Sequence, residues 1–120
     1  MFDTQSIFNS TTNVLPMVIH YEIDDVAYDR LITGNKASIT TRKQIGEIGD
    51  TILIREYTYR IVDIWKSTHG FAREKMCRVE GMASSSEYDT AMAALHGKIY
   101  GHHWFYTHFI APVIWEGSAE

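Results

Sequence analysis

The sequence has little cysteine and little proline, and it has no long hydrophobic run. Cys77 is the only cysteine among 120 residues, which excludes an internal disulfide and a zinc site built on several cysteines. No stretch approaches the roughly 20 apolar residues of a membrane-spanning helix. Residues 1–13 lack the basic start and apolar segment of a secretory signal. We therefore expect a cytoplasmic protein in a reducing compartment, without a membrane partner.

Metal-binding motifs are also missing. Four of the six histidines lie between His96 and His108, but none has the His-x-His or His-Glu-x-x-His spacing of a metal site. His102 and His103 are adjacent, so on a strand they would point to opposite faces. Because a zinc site needs three or four converging ligands, we expect neither a metal nor any other cofactor.

The composition is that of an ordinary globular chain, with 45% hydrophobic and 22% charged residues. Residues 1–15 are rich in Ser, Thr and Asn and are predicted to form an irregular arm, while residues 16–120 form a single domain. The net charge is −4, yet residues 36–78 carry nine Lys or Arg against five Asp or Glu. This basic centre is compatible with contacts to phosphate, and equally with solvated strand faces.

The hydrophobic pattern predicts five strands and two or three helices. Asp24 or Asp25 would cap a helix that ends at Gly34, and Ser84 with Glu87 forms a capping box for a helix that continues to Gly101. Strand-like composition is found in residues 17–23, 37–41, 51–57, 59–65 and 104–115, and residues 72–78 could add a helical turn or two. Strands and helices do not alternate regularly, which argues against a doubly wound sheet. We predict an α+β fold whose small mixed sheet is curled into a partial barrel.

Side-chain alternation assigns faces to the predicted strands. Ser38, Thr40 and Arg42 would share a face with Lys36. In residues 59–65, Ile61, Asp63 and Trp65 would lie opposite Arg60, Val62 and Ile64. The short gap between the strands 51–57 and 59–65 predicts either a hairpin near residues 57–58 or one long bent strand.

One series of motifs resembles the ASCH superfamily of PUA-like barrels. A helix ends in Gly34-Asn35-Lys36, a strand carries Thr40 and then Arg42, and Ile48-Gly49-Asp50 opens the next strand. Glu80-Gly81 then precedes the Ser84-capped helix, and a last strand follows. Each motif alone is common, but their shared order extends over residues 17–116.

The resemblance implies recognition of RNA or of a nucleoside-sized ligand. A small bacterial branch of the superfamily hydrolyses the amide of acetylcytidine, and its pattern assigns a lysine, a nucleophilic threonine and a glutamate to Lys36, Thr40 and Glu80. That pattern places the threonine three residues after the lysine, whereas Thr40 is four residues after Lys36. Either a β-bulge absorbs the additional residue or the lysine is displaced, and Ser38 is then an alternative hydroxyl.

The residue chemistry supports three hypotheses. As a hydrolase, the chain would use Lys36 as the base, Thr40 as the nucleophile and Glu80 as the proton donor to a leaving amine. As an RNA- or nucleoside-binding protein, it would use Ser38, Arg42 and Arg55 for polar contacts and Tyr57 for base stacking. As an interaction module of a mobile element or phage, it would need none of them, because lysine, arginine and threonine are also ordinary on solvated strands.

Overall fold

A computed structural model describes residues 18–113, so the predicted arm and the end of the last predicted strand lie outside the described residues. The chain order is β1 (Val18–His20), α1 (Asp25–Ile32), β2 (Ser38–Thr41), β3 (Thr51–Ile54), β4 (Tyr57–Thr68), α2 (His69–Lys75), α3 (Ser85–His96) and β5 (Trp104–Pro112). The five strands form one mixed sheet in the order β1-β3-β4-β5-β2. Only the β1–β3 pair is parallel among these strands. The predicted α+β class is confirmed, and the sheet is not closed into a barrel.

Two hydrophobic clusters stabilise the fold. The α1 cluster consists of Leu31, Ile39, Ile52, Ile54, Tyr59, Ile61 and Ile110. The α3 cluster consists of Ala72, Met76, Cys77, Met82, Tyr88, Met92 and Phe105. Cys77 is buried within the second cluster, where it acts as a small apolar side chain. The sheet therefore packs against α1 through the first cluster and against α2 and α3 through the second.

The helix ends follow the capping chemistry. Asp24 accepts a hydrogen bond from the Ala27 N–H at 2.7 Å, and Ser84 accepts one from the Glu87 N–H at 3.1 Å. The Glu87 carboxylate accepts from the Ala83 N–H rather than from Ser84, so the capping box is shifted by one residue. The helix predicted to reach Gly101 ends at His96, because Gly97 takes a positive φ of 79° and terminates it.

The hairpin and the long strand differ from the sequence-based prediction. The β3–β4 turn lies at Arg55 and Glu56, two residues before the predicted turn, and Arg55 has a φ of +55°. The pairing between β4 and β5 shifts at Val62, since Ile61 pairs with Ile110 and Asp63 pairs with Phe109. Neighbouring residues of β5 point to opposite faces, so the predicted shared face of Ile61 and Asp63 is wrong.

Candidate functional site

The segment before β2 and the turn before α3 lie against each other. The Lys36 N–H donates to the Arg30 carbonyl at 2.9 Å, and the Ala37 N–H donates to the Val79 carbonyl at 2.7 Å. Gly81 makes this approach feasible, because it has a φ of +89° and an added Cβ would lie 3.0 Å from the Arg30 Cδ. These backbone contacts place Glu80 beside Lys36 although 44 residues separate them in sequence.

Four polar side chains converge in what we call the Glu80 cluster: Lys36, Ser38, Thr40 and Glu80. The Lys36 ammonium donates to Glu80 Oε1 at 2.6 Å. The hydroxyls of Ser38 and Thr40 donate to Glu80 Oε2 at 2.5 and 2.6 Å. All four residues are buried, and Lys36 is the most exposed of them at 7%. Both oxygens of the carboxylate are therefore hydrogen-bonded inside the protein.

The additional residue between Lys36 and Thr40 lies outside the strand. The β2–β5 pairing runs without a shift from Ser38–Phe109 to Thr41–Tyr106, so β2 contains no bulge. The extra residue belongs to the segment between α1 and β2. Lys36 reaches the same carboxylate as Ser38 and Thr40 from that segment, which agrees with the predicted shared side of these three residues.

A cavity of about 270 Å³ opens over the Glu80 cluster. Its walls come from the α1 region and from α3, with Val26, Ala27, Ala91 and Leu95 among the apolar contributors, and Lys36, Thr40 and Glu80 lie at its polar end. The rim carries Glu22, Asp24, Arg30 and Glu87. An apolar cavity with a few converging polar groups is the usual form of a small-molecule site.

The rim is acidic. Glu87 forms an ion pair with Arg30, and within the cluster below it Glu80 is paired with Lys36. The hydrogen bond from the Ala83 N–H is the main cause that lowers the pKa of Glu87, and the ion pair with Arg30 lowers it further. Glu22 and Asp24 are not balanced by a cation of the cavity, although Asp24 also caps α1. The mouth of the cavity therefore has excess negative charge.

Two residues behind the cluster were not found from the sequence. Thr107 Oγ1 lies 3.0 Å from Thr40 Oγ1, and both side chains are buried. The Tyr88 hydroxyl is fully buried and has no hydrogen-bond partner of normal geometry among the described residues. Burial, and then the charge of Glu80, raise the pKa of Tyr88, so its hydroxyl stays protonated. Tyr88 fits the helical periodicity of a core residue, and nothing in that pattern indicates a site.

None of the four predicted ligand-binding residues lines the cavity: Ser38 belongs to the Glu80 cluster without reaching the cavity wall, and the other three lie elsewhere. The Arg42 guanidinium lies over the Phe105 ring, 5.2 Å from its centroid. Arg55 forms an ion pair with Asp25, and the Tyr57 ring stacks on Tyr28 with the centroids 6.4 Å apart. The structure thus brings together Lys36, Ser38, Thr40 and Glu80 but leaves the other three residues elsewhere. Their ligand-binding roles stay predictions.

In residues 18–113, no three His, Cys, Asp or Glu side chains are arranged to hold a metal ion. Nor is any helix in that range long and apolar enough to cross a membrane.

Comparisons with known proteins show which fold the chain resembles. No protein-family model matches the chain, and no curated protein matches it either. Among solved structures, the ASCH domain from Lactobacillus crispatus has a TM-score of 0.65 at 10% identity, over 80% of this chain and 79% of that one. A mutant ASCH protein from Zymomonas mobilis has a TM-score of 0.58 at 11% identity, over 82% and 76%. A hypothetical protein has a TM-score of 0.64 at 15% identity, over 81% and 100%. The chain therefore has an ASCH-like fold.

Proposed function

We propose that the chain binds a nucleoside-sized molecule in the cavity above the Glu80 cluster. The observation that carries the proposal is the combination of a small apolar cavity with an ammonium, a hydroxyl and a carboxylate at one end. Its volume of about 270 Å³ suits one small molecule rather than a chain of nucleotides. Converging polar groups of this kind favour ligand binding over the interaction-module hypothesis.

The charge of the cavity supports a ligand without a phosphate. Glu22 and Asp24 would repel a phosphate at the rim, while the ammonium of Lys36 is engaged with Glu80. A nucleobase offers both hydrogen-bond donors and acceptors at its edge, which matches the mixed polar groups at the end of the cavity. We therefore favour a free nucleoside or nucleobase over RNA as the occupant.

Calorimetric titration tests this proposal. We expect cytidine or acetylcytidine to bind, and cytidine 5′-monophosphate to bind more weakly at low salt. Ala91→Leu would fill part of the cavity and should abolish binding, whereas Thr58→Val on β4 is a control outside it. Equal binding of cytidine by the wild type and the folded Ala91→Leu variant would contradict the assignment of the cavity.

Amide hydrolysis of an acylated nucleobase is the second candidate, and the Thr40–Glu80 contact favours it. The Thr40 hydroxyl donates to Glu80 Oε2, so the acceptor for its proton is the carboxylate rather than Lys36. In this scheme Thr40 Oγ1 attacks the acyl carbon and its proton passes to Glu80. Glu80 then protonates the leaving amine as the C–N bond breaks, and water hydrolyses the acyl-threonine to a carboxylic acid and free Thr40. Lys36 would position and stabilise the carboxylate.

Release of cytidine from acetylcytidine, followed by liquid chromatography, tests the hydrolase. Thr40→Ser keeps the hydroxyl and should retain turnover, whereas Thr40→Val keeps the shape and should lose it. Ser38→Ala is the matched control, because Ser38 donates to the same carboxylate oxygen but would not be the nucleophile. Turnover in Thr40→Val would remove Thr40 from this role, and no turnover in the wild type would leave only the binding proposal.

A further inference from the structure

One face of the sheet has no covering helix over β1, β3 and the first half of β4. On β3 and this half of β4, the buried side chains belong to the α1 cluster. The side chains on the opposite side form what we call the open face: Val18, His20, Thr51, Leu53, Thr58, Arg60 and Ala111. On this side α2 and α3 cover Phe105 of β5, and within residues 18–113 neither helix packs against β1 or β3. The open face is therefore accessible to another molecule.

The register shift at Val62 extends the open face along β4. Asp63 pairs with Phe109, which shares a face with Ala111 because the two are separated by one residue on β5. Trp65 follows Asp63 on the same side of the strand. Val62 is 51% exposed and Trp65 is 47% exposed. Two large apolar side chains at the shift are thus about half accessible to solvent.

The Trp65 side chain is fixed in position by its neighbours. Its indole N–H donates to Asp63 Oδ2 at 2.9 Å. Its ring meets the Phe109 ring edge-on, with the centroids 5.8 Å apart. Because the polar N–H is already bonded within the chain, the remaining exposed part of the indole is apolar. A rigid, half-exposed tryptophan is typical of the residues that anchor protein–protein interfaces.

The charges on either side of Val62 are opposite in sign. Within residues 18–113, neither Arg60 nor Asp63 forms an ion pair. Asp63 accepts hydrogen bonds from Trp65 and from the Ile64 N–H, but a carboxylate can accept further ones. A surface with a cation and an anion on opposite sides of one point is complementary to a copy of itself rotated by 180° about that point.

We propose that two copies of this chain form a two-fold symmetric dimer through the open face. A two-fold axis that crosses β4 at Val62, in the plane of the interface and perpendicular to the strand, sets the two β4 strands face to face and antiparallel. Arg60 of each copy then lies opposite Asp63 of the other. Arg60 and Asp63 balance each other, so the charge of this part of the face favours a second copy over a nucleic acid. The proposal does not depend on the cavity, because Arg60, Asp63 and Trp65 do not line it.

Charge exchange tests the two-fold arrangement. Arg60→Asp places like charges opposite each other at both contacts, and so does Asp63→Arg, so each variant alone should dimerise at least about tenfold more weakly than the wild type. Mixing the two variants restores opposite charges at both contacts, and we expect a mixed dimer that is tighter than either variant forms alone. Sedimentation velocity measures the dissociation constants. Lys66→Asp is the matched control, because Lys66 lies on the same strand but faces Tyr106 on the other side of the sheet.

Trp65→Ser tests the apolar anchor and should also weaken dimerisation about tenfold or more. Circular dichroism checks that every variant is folded. A wild type that stays monomeric up to about 0.5 mM would overturn the proposal and leave the open face to a different partner. A dimer whose affinity is unchanged in Trp65→Ser, Arg60→Asp and Asp63→Arg would overturn it too, because the two copies would then meet through another surface.

Discussion

At the scale of single residues, the Glu80 carboxylate organises the candidate site. It accepts hydrogen bonds from Lys36, Ser38 and Thr40, all of them buried. A buried charge is tolerated only when it is paired and hydrogen-bonded. Lys36 and Glu80 are therefore required together, whatever chemistry the cavity performs.

Removing one member of this pair should destabilise the protein strongly. Glu80→Gln leaves the Lys36 ammonium buried without a counter-charge, and we expect the free energy of unfolding to fall by about 3–5 kcal/mol. Adding Lys36→Met should recover a large part of that loss. Urea unfolding of both single variants and the double variant measures the effect. Additive losses in the double variant would show that the two side chains are not energetically linked.

His108 should make stability depend on pH. Its ring is fully buried, with Nδ1 3.0 Å from the Ile39 carbonyl and Nε2 accepting from the Ile45 N–H at 3.1 Å. Burial lowers the pKa of His108 in the fold, so the unfolded chain binds the proton first as the pH falls. The contribution of His108 to stability should be complete at pH values above 6.5, the ordinary pKa of histidine, and should decrease as the pH falls below that value. The slope attributable to His108 is at most about 1.4 kcal/mol per pH unit.

The variant His108→Gln separates this contribution from the others. Burial also lowers the pKa of His96 and His103, so they shift stability in the same direction. We expect the variant to unfold more easily at pH 8 but to lose less stability between pH 7 and 5 than the wild type does. Parallel stability curves for the two proteins would show that His108 does not titrate on unfolding.

The sequence predicts part of this site for a physical reason. The i, i+2 spacing of Ser38 and Thr40 places both side chains on one face of β2. Lys36 lies before β2, but its ammonium binds the same Glu80 carboxylate as the two hydroxyls do. Arg42 has the same spacing, yet it lies beyond the end of β2, where alternation no longer holds. Tyr88 and Thr107 were missed because their relation to Thr40 depends on tertiary packing.

At the scale of elements, the starts of the helices were easier to predict than the turns. Asp24 and Ser84 begin helices through local hydrogen bonds that a sequence pattern records directly. The turn at Arg55 requires a positive φ in a residue other than glycine, and no turn motif indicates it. The helix α2 also begins at His69, before the residues 72–78 that were predicted to form a helical turn or two, because Thr68 caps it.

Gly81 provides a prediction for the turn before α3. Gly81→Ala would need a left-handed conformation and would also bring a Cβ within 3.0 Å of Arg30 and 3.2 Å of the Lys36 Cβ. Gly34 has a similar φ of +84° with open space around it. We expect Gly34→Ala to cost about 1 kcal/mol and Gly81→Ala at least twice as much. Thermal unfolding of both variants checks this, and equal costs would mean that the contacts with Arg30 and Lys36 relax freely.

At the scale of the whole molecule, charge of opposite sign is concentrated at different places. The net charge is −4 and the cavity rim is acidic, while Arg42 and Arg55 lie outside the cavity. The basic centre predicted from residues 36–78 therefore does not become one continuous surface at the cavity. The sequence could not show this, because Lys36 is neutralised by Glu80 from another segment.

Reversing a rim charge should change which ligands the cavity accepts. Glu22→Lys places a cation at the mouth, and we expect cytidine 5′-monophosphate to bind about fivefold more tightly at low salt. Glu56→Lys in the β3–β4 turn makes the same charge change outside the cavity. Calorimetry at two salt concentrations separates the local effect from the change in net charge. An identical gain in both variants would contradict a local role for Glu22.

The shift at Val62 has a consequence for comparing this chain with others. Before Val62 the odd-numbered residues of β4 share a face with Ile110, and after it the even-numbered residues share a face with His108. The two halves of the strand are thus out of phase by one position. An alignment to a homologous strand that lacks this insertion needs a single-residue gap there, and an ungapped comparison would match inward residues of one half with outward residues of the other.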